Sequence, residues 1–359
     1  MKTGRTLVEL AQELDRQRQV KKDFLVDTRS LNLGYNGENL SLDLYDGASS
    51  AQAKVASFGI NDIAHNQIAS RLNIPTKYYN RMKDEYPGLL QYNVNGWFNQ
   101  TPETRMVRTL DNTARAFLSD SYRRIDNFEI AETVIPIIGE MEDARIESCE
   151  VTDQKMYIKV INPRLENEVK KGDVVQAGMV ISNSEVGLGS VKIQPLIYRL
   201  VCLNGMIAED AGVRKYHIGR ANEVGDNFEI FSSETLKADD AAFMLKVRDI
   251  ARTIVDEVKF MKIIEMMREA AGVPITSTDV PRFVELAASD YSISKGESKG
   301  VLDHLIKDGD FSLYGLSCAV TRYSQDVQSY DRATELEGIG YDILTMPARA
   351  WANLNRLAA

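Results

Sequence analysis

The chain has 359 residues, enough to bury a large core, and its 44% hydrophobic and 26% charged content is that of an ordinary globular protein. A net charge of −9 excludes a nonspecific polycation that coats nucleic acid. The charge is unevenly spread, however: residues 190–220 sum to +3 and residues 100–125 to +2, so the remaining chain carries −14. A basic site on an acidic protein is therefore compatible with the composition.

Three cysteines, Cys149, Cys202 and Cys318, stand far apart in apolar surroundings, and three histidines, His65, His217 and His304, are scattered. Neither set has metal-ligand spacing, and an odd cysteine count argues against a disulfide framework, so a reducing compartment is expected. No apolar run approaches the 18 or so residues of a membrane span, and the N-terminus lacks a secretory core, so no membrane partner is expected.

In chain order, residues 6–20 predict a short amphipathic helix. Residues 23–60 hold short alternating segments, Phe24–Thr28 and Leu40–Leu44, between Gly and Asn turns, and residues 61–93 are helical in character. Within the latter, residues 67–82 have helix-turn-helix spacing. Ala69 stands where the helices would cross, Asn73 takes the turn, and Leu72, Ile74, Tyr79 and Met82 supply shared apolar contacts. A recognition helix would then present Thr76, Lys77, Asn80 and Arg81 to a groove, with Lys77 and Arg81 as the duplex contacts. Two helices packed across a tight turn, with no ligand, account for the same pattern.

The stretch Arg105–Ser119 places two apolar-rich runs around Asp111-Asn112, a pair suited to a two-residue hairpin turn. That register sets Leu110 opposite Thr113, Thr109 opposite Ala114 and Arg108 opposite Arg115. Like charges face to face are tolerable when each finds a carboxylate, or when an anion lies between them. With Tyr122, Arg123 and Arg124 just beyond, the arrangement suits phosphate. Further along, a helix at Phe128–Met141 precedes alternation over Ala144–Ile161. Val174–Ser182 and Ser190–Cys202 follow as strands, the latter apolar at both parities and so buried on both faces. Lys192 and Arg199 extend the basic strand set. Arg214-Lys-Tyr-His-Ile-Gly-Arg220 reads either as phosphate contact by Arg214, Lys215 and Arg220 with stacking on Tyr216, or as a solvated strand end.

From Ser233 the chain turns helical. Leu236–Ala271 is the longest expected element, with Phe243, Val247, Ile250, Ile254, Val258 and Met261 at spacings of three and four, closed by Gly272 and Pro274. Another helix is expected through Leu313–Leu336, whose mixed surface could serve self-association. Gly187-Leu-Gly189 lacks the third glycine and following helix of a dinucleotide loop, and no phosphate-loop or nucleophile-elbow motif occurs. Neither an enzyme activity nor a cofactor is expected.

Val174-Val-Gln-Ala-Gly-Met-Val-Ile-Ser-Asn-Ser-Glu-Val-Gly-Leu-Gly-Ser-Val and Tyr198-Arg-Leu-Val-Cys-Leu-Asn-Gly-Met206 resemble the phage- and plasmid-like family labelled domain of unknown function 932. Arg115–Asn127 and Tyr330–Glu337 extend the resemblance, which covers most of the chain from about residue 60. It implies a phage or mobile element in a bacterial cytoplasm and brings no assigned catalytic residues. The combined expectation is an α+β protein: a curved, mainly antiparallel sheet with helices packed from the N- and C-terminal segments. Its regions are a mixed 1–100 with the helical hairpin, a β-rich 101–232 and a helical 233–359. The expected function is non-enzymatic DNA metabolism: binding single-stranded DNA along a basic sheet face as an oligomer, in annealing or recombination. The alternative is a host-interaction or anti-defence protein.

Overall fold

A computed structural model describes residues 1–47, 53–208 and 233–359. The fold is α+β with two sheets. Helix α1 (Leu7–Val20) leads into β1 (Lys22–Asp27), β2 (Leu31–Tyr35), β3 (Leu40–Tyr45) and β4 (Lys54–Ile60). Three helices follow, α2 (Asp62–Arg71), α3 (Thr76–Glu85) and α4 (Pro87–Gln100), then the hairpin β5 (Thr104–Leu110) and β6 (Thr113–Ser119). The first sheet has the order β1-β5-β6-β4-β3-β2, antiparallel except for the parallel β4–β6 contact. The Arg-bearing hairpin thus belongs with the N-terminal strands, not with the strands of 144–208. Burial of one sheet face under α2–α4 drives this assembly: Leu33, Leu42, Ile68, Tyr79, Leu90, Val94, Phe98 and Phe117 share one core. Helix α4 also covers the β2 edge, where the Asn95 side chain bonds both the N–H (2.7 Å) and the carbonyl (3.0 Å) of Leu33.

After α5 (Asn127–Glu140) come β7 (Arg145–Val151), β8 (Met156–Glu168), β9 (Val174–Asn183), β10 (Lys192–Arg199) and β11 (Asn204–Ile207). They form an antiparallel sheet in the order β11-β10-β9-β8-β7. One face packs against α1, α5 and α6 (Ser233–Thr253) through Ile158, Val160, Met179 and Ile181. Toward β11 that face meets the C-terminal helices through Val175, Ala177, Ile197 and Met206. The other face buries Ile161, Val180, Leu196, Tyr198 and Ile207. Covering both faces is why β10 is apolar at both parities.

The remaining helices are α7 (Glu257–Ala271), α8 (Val280–Asp290), α9 (Lys295–Asp308), α10 (Leu313–Tyr323), α11 (Tyr330–Leu344) and α12 (Ala348–Leu357). Two expected single helices are each divided. Asp256 caps α7 by accepting from the Lys259 N–H at 2.9 Å, which ends α6 before it. Ser329 caps α11 in the same way through Arg332, so residues 313–336 are two helices. Nine of the eleven residues of α10 are buried, so that segment is core and not the association surface expected from its mixed composition. Among the described residues, no helix is long and apolar enough to cross a membrane.

Candidate nucleic-acid interface

The β5–β6 turn is built by Asp111 (φ 50°) and Asn112 (φ 59°), both left-handed, as two-residue hairpins require. Leu110 pairs with Thr113 and Thr109 with Ala114, but a bulge between Arg108 and Thr109 then sets Arg108 opposite Ala116. The expected Arg108–Arg115 juxtaposition does not form.

Neither arginine offers an open phosphate site. Arg108 has no exposed surface: Nε and Nη2 hold the Asp23 carboxylate at 2.8 and 3.1 Å, and Nη2 also meets Asp126 at 2.7 Å. Its Nη1 donates to the Glu185 carbonyl at 2.9 Å. Burial alone would lower the Arg108 pKa, but Asp23 and Asp126 outweigh it and hold the guanidinium above its ordinary value. Arg115, also buried, is ion-paired through Nη2 with the Glu185 carboxylate. Glu185 accepts as well from the Asn127 backbone N–H at 2.6 Å and lies 3.5 Å from Lys21 Nζ. Lys21 in turn sits 2.6 Å from Asp126. Burial disfavours the Asp126 carboxylate, yet Arg108 and Lys21 keep its pKa below the usual range.

The cluster joins the two sheets. Its pivot is the loop after β9, whose Ser184, Glu185 and Val186 are buried. Gln67 donates to the Val186 carbonyl at 2.7 Å and Tyr122 to that of Ser184 at 3.1 Å. Gly187 has φ +77°, and a Cβ there would come within 2.7 Å of Leu118, so this turn needs glycine.

Of the other expected sheet contacts, Arg124 is largely exposed and lies 3.6 Å from Asp23. Arg123 and Lys192 are partly buried and have partners of their own. Arg199 is bound to Asp173 at 2.6 Å, with Asp308 at 3.8 Å. Arg124 and Arg199 thus serve the protein's own carboxylates, and the four cations do not form one solvent-facing stripe. Arg214, Lys215, Tyr216 and Arg220 lie outside the described residues. The Cys202 thiol is pushed up by burial, away from the thiolate a nucleophile needs.

The helical hairpin, in contrast, has the expected form. Asn73 is left-handed (φ 53°) in the turn between α2 and α3. Ala69, Ile74, Tyr79 and Met82 are buried between them, and His65 Nδ1 shares a 2.8 Å hydrogen bond with the Tyr79 hydroxyl. Burial lowers the His65 pKa to about 4, so the imidazole is neutral at pH 7. Lys83 closes the hairpin on Asp62 at 2.8 Å. This scaffold leaves Thr76, Lys77 and Arg81 exposed and Asn80 half-buried. Arg81 carries only an exposed i,i+4 pair with Glu85 at 2.9 Å. Pro75 provides no side-chain cap, so the amino end of α3 keeps its free backbone donors.

A feature absent from the sequence expectations is the aromatic surface beside α3. Among the described residues, four of the five exposed large aromatic side chains, Tyr78, Tyr86, Tyr92 and Trp97, lie on α3, on α4 or between them. The complete lack of charge in Pro87–Gln100 could have signalled it.

No curated protein and no solved structure matches the chain. A family model does, described as Domain of unknown function (DUF932), over residues 116–327. The match takes in the last part of β6, the loop carrying Glu185, the whole second sheet and the helices as far as α10, and leaves α2–α4 outside it. Covering more than half of the chain, it makes this protein a member of the family designated domain of unknown function 932.

Proposed function

We propose that the protein binds nucleic acid through the α2–α3 hairpin, laying the first two turns of α3 against a DNA duplex. The observation that carries this reading is the division of α3. Tyr79 and Met82 are buried while Thr76, Lys77 and Arg81 face solvent within the first two turns. Helix-turn-helix recognition uses that end of the second helix. The helix's acids, Asp84 and Glu85, lie in its last turn, away from that end.

The side chains suit the task. Arginine and asparagine can form bidentate hydrogen bonds to guanine and adenine edges, and Lys77 supplies a cation for phosphate. Arg81 is available because an ion pair exposed on both sides contributes little and exchanges readily. A single-strand track along the sheet is no part of this reading, since Arg108, Arg115 and Arg199 are neutralised within the protein. The setting implied by the resemblance, a phage or mobile element, accommodates such a protein.

Fluorescence anisotropy with a mixed-sequence duplex and its single strand, across a salt series, tests the proposal. Expected are tighter binding to the duplex and a salt slope corresponding to about two or three displaced ions. Equal affinity for both strand forms, or no duplex binding at low salt, overturns it.

A further inference from the structure

Tyr78 is an exposed side chain of α3 to which duplex contact through Lys77 and Arg81 gives no task. It is 46% exposed, whereas Tyr79 beside it is wholly buried. Packing therefore explains one tyrosine of the pair and not the other. A single exposed aromatic is common on protein surfaces, so exposure alone decides nothing. Its place on the helix does.

At 3.6 residues per turn, Tyr78 lies about 60° around α3 from Arg81 and about 100° from Lys77, within the same first two turns. The buried seam of Tyr79 and Met82 falls on its other side. Tyr78 thus borders the solvent-facing strip that carries both cations. Glu85 is the chief cause that raises the Arg81 pKa, and the Tyr78 hydroxyl adds to it, so the two side chains are electrostatic neighbours. A groove that receives Arg81 receives the tyrosine ring with it.

The chemistry of the major groove limits what that ring can meet. Guanine presents two acceptors there, cytosine a donor, adenine one of each, and thymine an acceptor and its C5-methyl. Only the methyl is apolar. Arginine, lysine and asparagine answer the polar edges. A tyrosine ring brings apolar area, with a hydroxyl that can stay in water. Thr76 also carries a methyl, but it lies about 140° around the helix from Arg81.

We propose that Tyr78 reads a pyrimidine C5-methyl group in the major groove, beside the base edge that Arg81 contacts, an inference that rests on α3 as the duplex contact. The favoured ligand is then a duplex whose thymine, or 5-methylcytosine, lies under the ring. Removing one methyl group from water against the ring is worth about a fourfold gain in affinity.

Fluorescence anisotropy on the full chain tests this with three versions of one mixed-sequence duplex. The first is ordinary, the second has uracil for every thymine, and the third is the uracil duplex with 5-methylcytosine for every cytosine. Uracil removes the methyl and leaves each hydrogen-bonding edge intact. The wild type should bind the uracil duplex about fourfold more weakly than the ordinary one. Tyr78→Ala should bind both equally, near the wild type's uracil level, with an unchanged salt slope because no cation is lost. Tyr78→Phe should keep the discrimination, since the ring carries it. Recovery on the third duplex assigns the contact to any C5-methyl, and no recovery assigns it to thymine alone. A wild type indifferent to uracil, or a Tyr78→Ala variant that still discriminates, overturns the role of Tyr78 and leaves α3 as the contact. Absence of all duplex binding overturns both.

Discussion

Arg108 and Asp23 lie opposite each other on adjacent strands and meet through two parallel hydrogen bonds, 2.8 and 3.1 Å long, with the guanidinium wholly buried. With Asp126 and Glu185 the pair ties the first sheet to the loop after β9. Replacing Arg108 with Met leaves two carboxylates facing an apolar side chain. We expect Arg108→Met to cost on the order of 3–5 kcal/mol in urea unfolding. A loss below about 1 kcal/mol would contradict a structural role for the cluster.

Lys159 and Glu337 form a second internal pair, 2.5 Å apart and without exposure on either side, with Lys159 also 4.7 Å from the Tyr330 ring centroid. Glu337 Oε1 has no hydrogen-bond partner. Lys159→Met alone should therefore be severely destabilising, whereas adding Glu337→Leu should recover most of the loss, because an apolar pair of similar volume avoids both desolvation costs. Losses that simply add in the double variant would show that the two groups are not coupled.

The His65–Tyr79 contact makes the hairpin sensitive to acid. His65 has a folded pKa of about 4, below its unfolded value of about 6.5. A depressed folded pKa means that its contribution is present above the unfolded pKa. As pH falls from about 6.5 to 4 the unfolded state takes up the proton first, and stability falls by up to about 3 kcal/mol. Following the His65 ring by NMR should give a midpoint near 4. A midpoint near 6.5 would mean that the imidazole is not desolvated between α2 and α3.

How much of this was legible follows the range of the interactions. The Asp111-Asn112 turn and the Asn73 turn are set by a few adjacent residues that tolerate left-handed angles, and both appear where the sequence places them. The spacing of Ala69, Ile74, Tyr79 and Met82 likewise specified a buried hairpin seam. The fate of Arg108 and Arg115 was not local. Their carboxylates come from Asp23 and Glu185, tens of residues away in either direction, and a bulge removed the juxtaposition that an unbroken ladder predicts. A row of arginines therefore looked like a surface and is an internal fastening. The breaks at Asp256 and Ser329 were written as cap residues, but the apolar spacing continued across them and masked the signal.

The central claim is that α3 is the nucleic-acid contact and the sheet arginines are not. Duplex affinity of the Lys77→Glu, Arg81→Glu double variant tests it most directly, with the melting temperature measured alongside. Both side chains are exposed, so folding should be nearly unaffected while duplex binding falls at least a hundredfold and its salt dependence becomes shallower. Unchanged duplex affinity in a folded variant would contradict the account and leave α2–α3 as a packing element.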